Sequence, residues 1–254
     1  MEISAVIITM NEERNIARCL RALSWVDEII VVDTDSTDNT TAIAERMGAR
    51  VHSIAWKGYG PTKQYAVDRA TGDWVLSIDA DEIVTSELTD EIRAVIDSPD
   101  AADGYFLPRL TNFIGRWVYH SQWYPDFVLR LFRRGKGRFT DALVHEKIIV
   151  DGQTAHLKTP LLHFSYPDLA SYFRKTAKYN DLGGKDSLRC GKKAGAISMI
   201  LRPIATFYRH FVFKLGFLDG WAGFFIGILS AHRNYCKYSH LRKLDAAGQE
   251  RGRI

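Results

Sequence analysis

The sequence predicts an α/β fold, a mostly parallel sheet with helices on both faces, followed by a helical C-terminal region. Three observations predict it. Four apolar, β-rich runs alternate with helical patterns between residues 3 and 96, as β-α-β units do. Three of those runs end in polar clusters, at Thr9-Met10-Asn11-Glu12, Asp33-Thr34-Asp35 and Asp79-Ala80-Asp81, where open parallel sheets collect their ligands. After Pro167 the pattern turns helical as far as about Tyr238.

Each element has its own signal. ISAVIITM, residues 3–10, is the first strand; no basic segment precedes a long apolar run, so the N-terminus reads as a strand and not as a leader. NEERNIARCLRAL places Ile16, Cys19, Leu20 and Leu23 at helical spacing, with Asn11 as N-cap and Glu12 and Glu13 in the first turn. DEIIVVD is the second strand and ends at Asp33. DSTDNTTAIAERMG reads as a loop and a capped helix stopped by Gly48. ARVHSIAW is the third strand, and a helix is expected from Pro61 to Ala70 before Gly72. DWVLSIDAD is the fourth strand and Ser86 to Ile96 the fourth helix. Residues 104–165 are aromatic and Arg-rich with short β-like runs, and Pro203 is expected to open a second helical piece. The expected boundaries are 1–165, divided into 1–103 and 104–165, then a helical region 166–244 and a polar, frayed tail 245–254.

Composition narrows the function classes. At 254 residues and 46% hydrophobic, the chain has enough apolar surface for a full core. Cys19, Cys190 and Cys236 are widely spaced and odd in number, which excludes a disulfide framework and a Cys-based zinc site. Residues 1–103 carry 9 Lys and Arg against 20 Asp and Glu, and residues 104–254 carry 25 against 10. An acidic half joined to a basic half suggests two tasks, with the basic half suited to nucleic acid, anionic lipid or phosphorylated substrates. No G-x-G-x-x-G follows the first strand, which disfavours a dinucleotide-dependent dehydrogenase.

The stretch VLSIDADEIV places Asp79, Asp81 and Glu82 behind a buried strand. Two unpaired carboxylates there would repel, and one would take up a proton. A divalent cation resolves the conflict, and oxygen ligands suit Mg2+ or Mn2+ with positions left for diphosphate. The alternative is an acidic helix cap with Asp81, Glu82 and Glu87 solvated.

Taken together, AVIITMNEERNIARCL, EIIVVDTDSTDNT, KQYAVDRATGDWVLSIDADE and the later VHE resemble glycosyltransferase family 2, in order and spacing across residues 3–150. WYPDFVLRLFRR, VHE and KLGFLDGWAGFFIGILSA are similar to its lipopolysaccharide core glucosyltransferase-like branch. The resemblance implies a GT-A nucleotide-sugar-binding fold, with 1–103 as the nucleotide-binding half and 104–165 as the acceptor half. It implies an inverting transfer of a hexose, glucose by the branch, from a UDP-sugar to an inner-core heptose or related glycolipid. Polyprenyl-phosphate or protein acceptors are the alternative within the family. A non-catalytic nucleotide- or nucleic-acid-binding module is the alternative outside it.

Site residues follow from the same resemblance. Thr9, Asn11 and Glu12 match the base contact, Asp33 the carboxylate that reads uracil or ribose, and Lys63 a polar position near the nucleotide. Asp79 faces ribose and donor sugar, and Asp81, with Asp79, holds the metal. Where relatives commonly read D-G-S after strand two, this chain has Thr34-Asp35-Ser36, which puts the loop backbone in question. An inverting transfer needs a base; the matching place reads Val144-His145-Glu146, with Glu146 as base, His145 orienting it or touching phosphate, and Asp126 as rival. Arg130, Arg133 and Arg134 are candidates for neutralising the leaving diphosphate, or a solvated face. Trp117, Trp123 and Tyr124 are candidate sugar platforms or core residues, while His120, His163 and Asp219 read as structural.

The apolar stretch Gly220 to Ala231, 12 residues, is shorter than the ~17–25 a membrane span needs. Ile197 to Tyr238 mixes aromatic and aliphatic residues with Arg and Lys, which fits helices lying on an anionic membrane or packed on a partner subunit. The expectation is a cytoplasmic protein peripheral to the inner face of the cytoplasmic membrane, with a UDP-sugar and a glycolipid as partners, no nucleic acid, and oligomerisation through the C-terminal helices.

Overall fold

A computed structural model of the chain describes residues 1–140, 146–173 and 196–251. It divides into two compact units, one formed by Met1–Leu110 and Pro125–Phe164, the other by Thr111–Tyr124 and Ser165–Ile254.

The first unit opens with the alternation that the sequence predicts. Strands β1 (Ile3–Thr9), β2 (Glu28–Asp33), β3 (Arg50–Ser53) and β4 (Trp74–Asp79) alternate with helices α1 (Ile16–Ala22), α2 (Thr40–Arg46) and α3 (Tyr59–Val67). The four strands are parallel, in the order β3-β2-β1-β4. Val and Ile dominate them because strands covered on both faces favour continuous apolar runs. The short β5 (Glu82–Ile83) and helix α4 (Ser86–Ile96) follow, the latter capped by the Thr85 hydroxyl accepting from the Leu88 amide at 3.2 Å.

Beyond β4 the sheet turns antiparallel. β8 (Asp126–Arg133) runs against β4, and β6 (Gly104–Phe113) runs against β8. β11 (Thr154–His156) joins β6 in parallel, and β12 (Leu161–Tyr166) pairs antiparallel with β5. β9 (Gly137–Phe139) and β10 (Ile148–Val150) form a separate ribbon. One core lies between the sheet and α1, α2 and α4, and includes Ile7, Leu20, Trp74, Leu88 and Ile92. A second, around Val6, Ala66 and Phe132, lies under α3.

The second unit holds β7 (Arg116–Val118), which pairs with the end of β6, and the C-terminal helices α5 (Ala196–Tyr208) and α6 (Trp221–Arg251). A π-helical turn, Arg209–Phe213, and a 3-10 turn, Gly216–Asp219, connect those two helices. Phe113, Val118, Tyr172, Ala222 and Ile226 form its core. A Cβ on Gly223 would fall 1.8 Å from the Gly216 carbonyl oxygen, so only glycine admits this close approach of α6 to the turn.

Several boundaries differ from the sequence expectation. The segment Thr111–Tyr124 belongs with the C-terminal unit rather than with 104–165. α1 begins at Ile16, because Asn11 adopts a left-handed φ of 57° and cannot serve as its N-cap. Pro203 lies inside α5 instead of opening a helix. α6 continues to Arg251, through most of the expected tail.

Ile92 is fully buried beneath the sheet. Ile92→Ala is expected to cost about 2–5 kcal/mol, whereas Thr85→Ala, which removes only a cap, costs about 1. Urea denaturation of the two variants checks this order.

Candidate active site

The parallel register fixes which residues share an edge. Thr9 is opposite Asp33, and Ile8 is opposite Asp79, so the three strand ends meet on one side of the sheet. There the Thr9 hydroxyl donates to Asp33 Oδ1 at 2.9 Å, and the Ser36 amide and hydroxyl donate to the same carboxylate at 3.0 and 2.5 Å. Asp33 is buried. Asn11 Oδ1 accepts from the Thr37 amide at 2.8 Å, and the Asn11 amide donates to Ser36 Oγ at 2.8 Å. The Glu12 carboxylate accepts from Asn15 Nδ2, and its amide donates to Thr40 Oγ1, both at 2.8 Å. The two loops are thus locked to each other through Asn11, Asp33 and Ser36. Asp35 occupies the place where relatives commonly have Gly and adopts φ 59°. The left-handed turn survives without glycine because Asp tolerates that region better than most residues.

Next to these loops runs a chain of alternating charge. Lys63 Nζ, buried in α3, lies 3.1 Å from Glu146 Oε1 and 2.9 Å from Asp79 Oδ1. The other Asp79 oxygen accepts from Arg130 Nη2 at 2.5 Å, and the same nitrogen donates to Glu82 Oε1 at 2.6 Å. Glu82 also meets Arg109 at 3.5 Å, and Arg109 forks onto Asp126 Oδ2 at 2.6 and 3.0 Å. The order is Glu146, Lys63, Asp79, Arg130, Glu82, Arg109, Asp126, strictly alternating in sign. Glu82 is 0% exposed, and its second oxygen accepts from the Asp79 amide at 3.0 Å. It therefore holds the turn that follows β4.

Charge pairing decides the protonation states. Burial by itself would raise the Asp79 carboxyl, but Arg130 and then Lys63 outweigh it and hold Asp79 well below the ordinary carboxylate range. Burial would likewise lower Arg130, but Asp79 and Glu82 reverse that and raise it. Arg109 is raised too, Glu82 and Asp126 outweighing burial and the repulsion of Arg130. Cys19, whose thiol lies 3.8 Å from the Asp79 carbonyl oxygen, is pushed above the ordinary thiol range by burial, then by Glu82, Asp81 and Asp79. It is an inert thiol at the back of the site.

Asp81 stands beside this chain, its Oδ2 3.4 Å from His163 Nε2 on β12, and its carbonyl accepts from the Phe164 amide at 2.8 Å. The conflict between Asp79 and Asp81 is therefore relieved in the first instance by Arg130 and Lys63. Asp81 adds a further carboxylate beside this chain of charges, an oxygen donor of the kind a divalent ion takes. Asp79, whose two oxygens each hold a cation, is poorly placed to be a second ligand. Among the described residues no group of three His, Cys, Asp or Glu side chains is arranged around a common point.

The remaining sequence candidates lie elsewhere. Arg133 is opposite Trp74, at the beginning of β4, and packs over that indole at 4.7 Å. Arg134 Nε donates to the Gly72 carbonyl at 2.8 Å. Because β8 runs antiparallel to β4, both arginines sit at the opposite end of the strand from Asp79, roughly 16 Å away at 3.3 Å per residue. They do not meet a diphosphate at that edge, and only Arg130 of the three is in the site. His145 lies outside the described residues. In the second unit Trp123 packs edge-on against Phe113, 5.9 Å between centroids, and Tyr124 against Tyr119 at the same separation. Arg109 is the site residue that the sequence analysis did not name, and no local signal marks it. Glu82, which the alternative reading takes as a solvated part of an acidic cap, is buried, and His163, read as structural, lies against Asp81.

Comparisons with known proteins agree on the family. A family model described as Glycosyl transferase family 2 matches residues 4–179. An uncharacterized glycosyltransferase of Rickettsia conorii is 31% identical over 95% of this chain and 90% of its own. The lipopolysaccharide core biosynthesis glycosyltransferase LpsC of Rhizobium meliloti is 28% identical over 94% of both chains. The crystal structure of S. aureus TarS 1-349 in complex with UDP-GlcNAc covers 98% of this chain and 92% of its own, with a TM-score of 0.51 at 14% identity. That likeness extends to the fold.

Arg130→Met leaves Glu82 buried without its closest cation, which is expected to cost about 3–5 kcal/mol at neutral pH. The pH dependence has a definite sign. Asp79 is depressed below 3.8 in the folded state, so its contribution is complete above the unfolded value and is lost as pH falls through the folded one. Urea midpoints measured from neutral to acid pH should show this acid-side loss in the parent protein and less of it in Arg130→Met.

Proposed function

Since the chain belongs to glycosyl transferase family 2, we propose that it moves a hexose, glucose in the first instance, from a UDP-sugar to a lipopolysaccharide inner-core heptose or related glycolipid. The observation that carries this reading is the chain of charges that joins Glu146 to Asp79 through the buried Lys63 ammonium at the carboxyl edge of the sheet. A candidate base and a donor-facing carboxylate share one cation, so both face the same reacting space. The name of the Rhizobium relative supports the class of acceptor.

In this reading the interlocked loops of Asn11, Asp33 and Ser36 receive the nucleoside, with Thr9 and Glu12 fixing their shape. Asp79 faces ribose and sugar, held ionised by Arg130. Asp81 would hold a divalent ion, Mg2+ or Mn2+, which supplies charge neutralisation for the leaving diphosphate. The acceptor oxygen bonds to the anomeric carbon as the bond from that carbon to the diphosphate oxygen breaks. The electron pair leaves on UDP, and the acceptor proton passes to the Glu146 carboxylate. Lys63 orients that carboxylate and remains beside the developing diphosphate charge. Asp126, forked by Arg109, is the rival base. A lipid-anchored acceptor places the enzyme at a membrane surface without spanning it; no described helix is long and apolar enough to cross one.

The test combines binding and turnover. With Mn2+, UDP should raise the melting temperature of the parent protein and of Glu146→Gln, but not of Asp81→Asn. With UDP-glucose and a heptose-terminated core lipid, mass spectrometry should show the gain of one hexose. Glu146→Gln should lower that rate by about 10²–10⁴. Turnover retained in Glu146→Gln and lost in Asp126→Asn would move the base to Asp126.

A further inference from the structure

The connection between α5 and α6 reverses the usual rule for protein surfaces. In the segment Phe213–Leu218 the side chains of Phe213, Leu215, Phe217 and Leu218 are 77%, 47%, 49% and 54% exposed. Leu215 adopts φ 54°, a left-handed conformation that costs a non-glycine residue about 1–2 kcal/mol. The left-handed residue closes the end of the π-helical turn, its amide donating to the Val212 carbonyl at 3.1 Å, and leaves an aliphatic side chain turned outward. The pattern continues along α6. Ala222, Gly223, Ile226 and Gly227 are buried, whereas Trp221, Phe224, Phe225 and Ile228 are exposed. Ile226 and Leu229 pack into the unit with the small residues, while the aromatic rings of Trp221, Phe224 and Phe225 stay partly exposed.

The segment is also held rigidly within its unit. Asp219 accepts from the Tyr119 and His120 amides at 3.2 and 2.9 Å, and its carboxylate lies 3.0 Å from His120 Nδ1. At the other end His210 Nδ1 meets the Ser121 carbonyl at 2.7 Å, and the Ser121 amide donates to the Lys214 carbonyl at 2.9 Å. Both ends of the apolar tip are fastened to the one loop that holds Tyr119, His120 and Ser121, so the tip is presented preformed.

Charge identifies the occupant. From residue 196 to 242 the sequence carries six Lys and Arg and a single acid, Asp219, and that acid is buried. Arg202, Arg209, Lys214 and Arg233 are exposed around the apolar face. A second copy of this chain seated symmetrically on that face would bring these cations against their own counterparts, and the one acid between residues 196 and 242 is buried. A lipid surface with anionic headgroups accepts both components, taking the apolar tip into the acyl boundary and the cations at headgroup level.

We propose that Phe213–Leu218 and the exposed face of α6 form a monotopic insertion wedge for an anionic lipid bilayer. The surface chemistry stands by itself, and the glycolipid acceptor of the preceding reading gives it a purpose. The test is flotation of the full chain with phosphatidylcholine vesicles, with and without phosphatidylglycerol. The parent protein should float with the anionic vesicles, less at high salt. The double variant Phe213→Ser and Leu218→Ser should partition about tenfold less or weaker still, with its melting temperature and UDP protection unchanged. Lys214→Glu should weaken only the part that depends on phosphatidylglycerol. A parent protein that stays unbound overturns the proposal. So does one that is dimeric by light scattering and becomes monomeric in the double variant. Vesicle binding without any effect of UDP would leave the wedge standing and count against the sugar-nucleotide reading alone.

Discussion

The site of the first unit depends on one buried guanidinium. Arg130 bridges Asp79 and Glu82, and Glu82, entirely buried, holds the Asp79 amide from the far side of the turn. Without the cation, Asp79 would keep only Lys63 and the buried Glu82 only the more distant Arg109, which weakens both the turn and the charge state of Asp79. The arrangement is possible because the sheet changes direction after β4. β8 returns antiparallel and delivers a side chain from the basic part of the sequence to the mouth of the acidic part. The charge asymmetry of the chain is thus resolved residue by residue: Arg109 and Arg130 follow residue 103, and the carboxylates they hold come from both sides of it.

This explains what the sequence could and could not tell. The parallel strands and the helices between them were legible, because each is specified by local periodicity and its own terminating signals. The edge formed by Thr9, Asp33 and Asp79 was legible for the same reason, since parallel strands of similar length bring their ends together. The antiparallel part was not. Arg130, Arg133 and Arg134 look equivalent in a run of basic residues, and only the pairing of Arg133 with Trp74 shows that Arg133 and Arg134 sit at the opposite end of β4 from Asp79. His163 illustrates the limit more sharply. Its position beside Asp81 follows from the pairing of β12 with β5, a contact across eighty residues with no local trace. Asn11 shows a different failure. Its residue type suits a cap, but its side chain is used by the neighbouring loop at Thr37, and a tertiary hydrogen bond outweighed a local one.

The two aspartates of the D-x-D sequence have different physical situations. Asp79 is neutralised by two cations of the protein and is fixed in both oxygens, so it supplies an invariant anionic surface. Asp81 is on the turn beyond, next to the His163 imidazole. For the divalent ion of the proposed reaction Asp81 is the more available carboxylate, since Asp79 already holds Lys63 and Arg130.

The second unit applies the same economy to its one buried acid. Asp219 does not balance the surrounding cations; it is spent on the amides of Tyr119 and His120. Arg209, Lys214 and Arg233 are left exposed and unmatched by any acid between residues 196 and 242, which is costly in isolation because like charges repel. An apolar tip fixed in a strained backbone adds a second cost. Two unfavourable features at one surface, each of which a bilayer with anionic headgroups would relieve, are more economically explained by one partner than by two separate accidents of the fold. Exposed hydrophobic side chains alone are common on proteins, whereas this tip is held outward by hydrogen bonds at both of its ends.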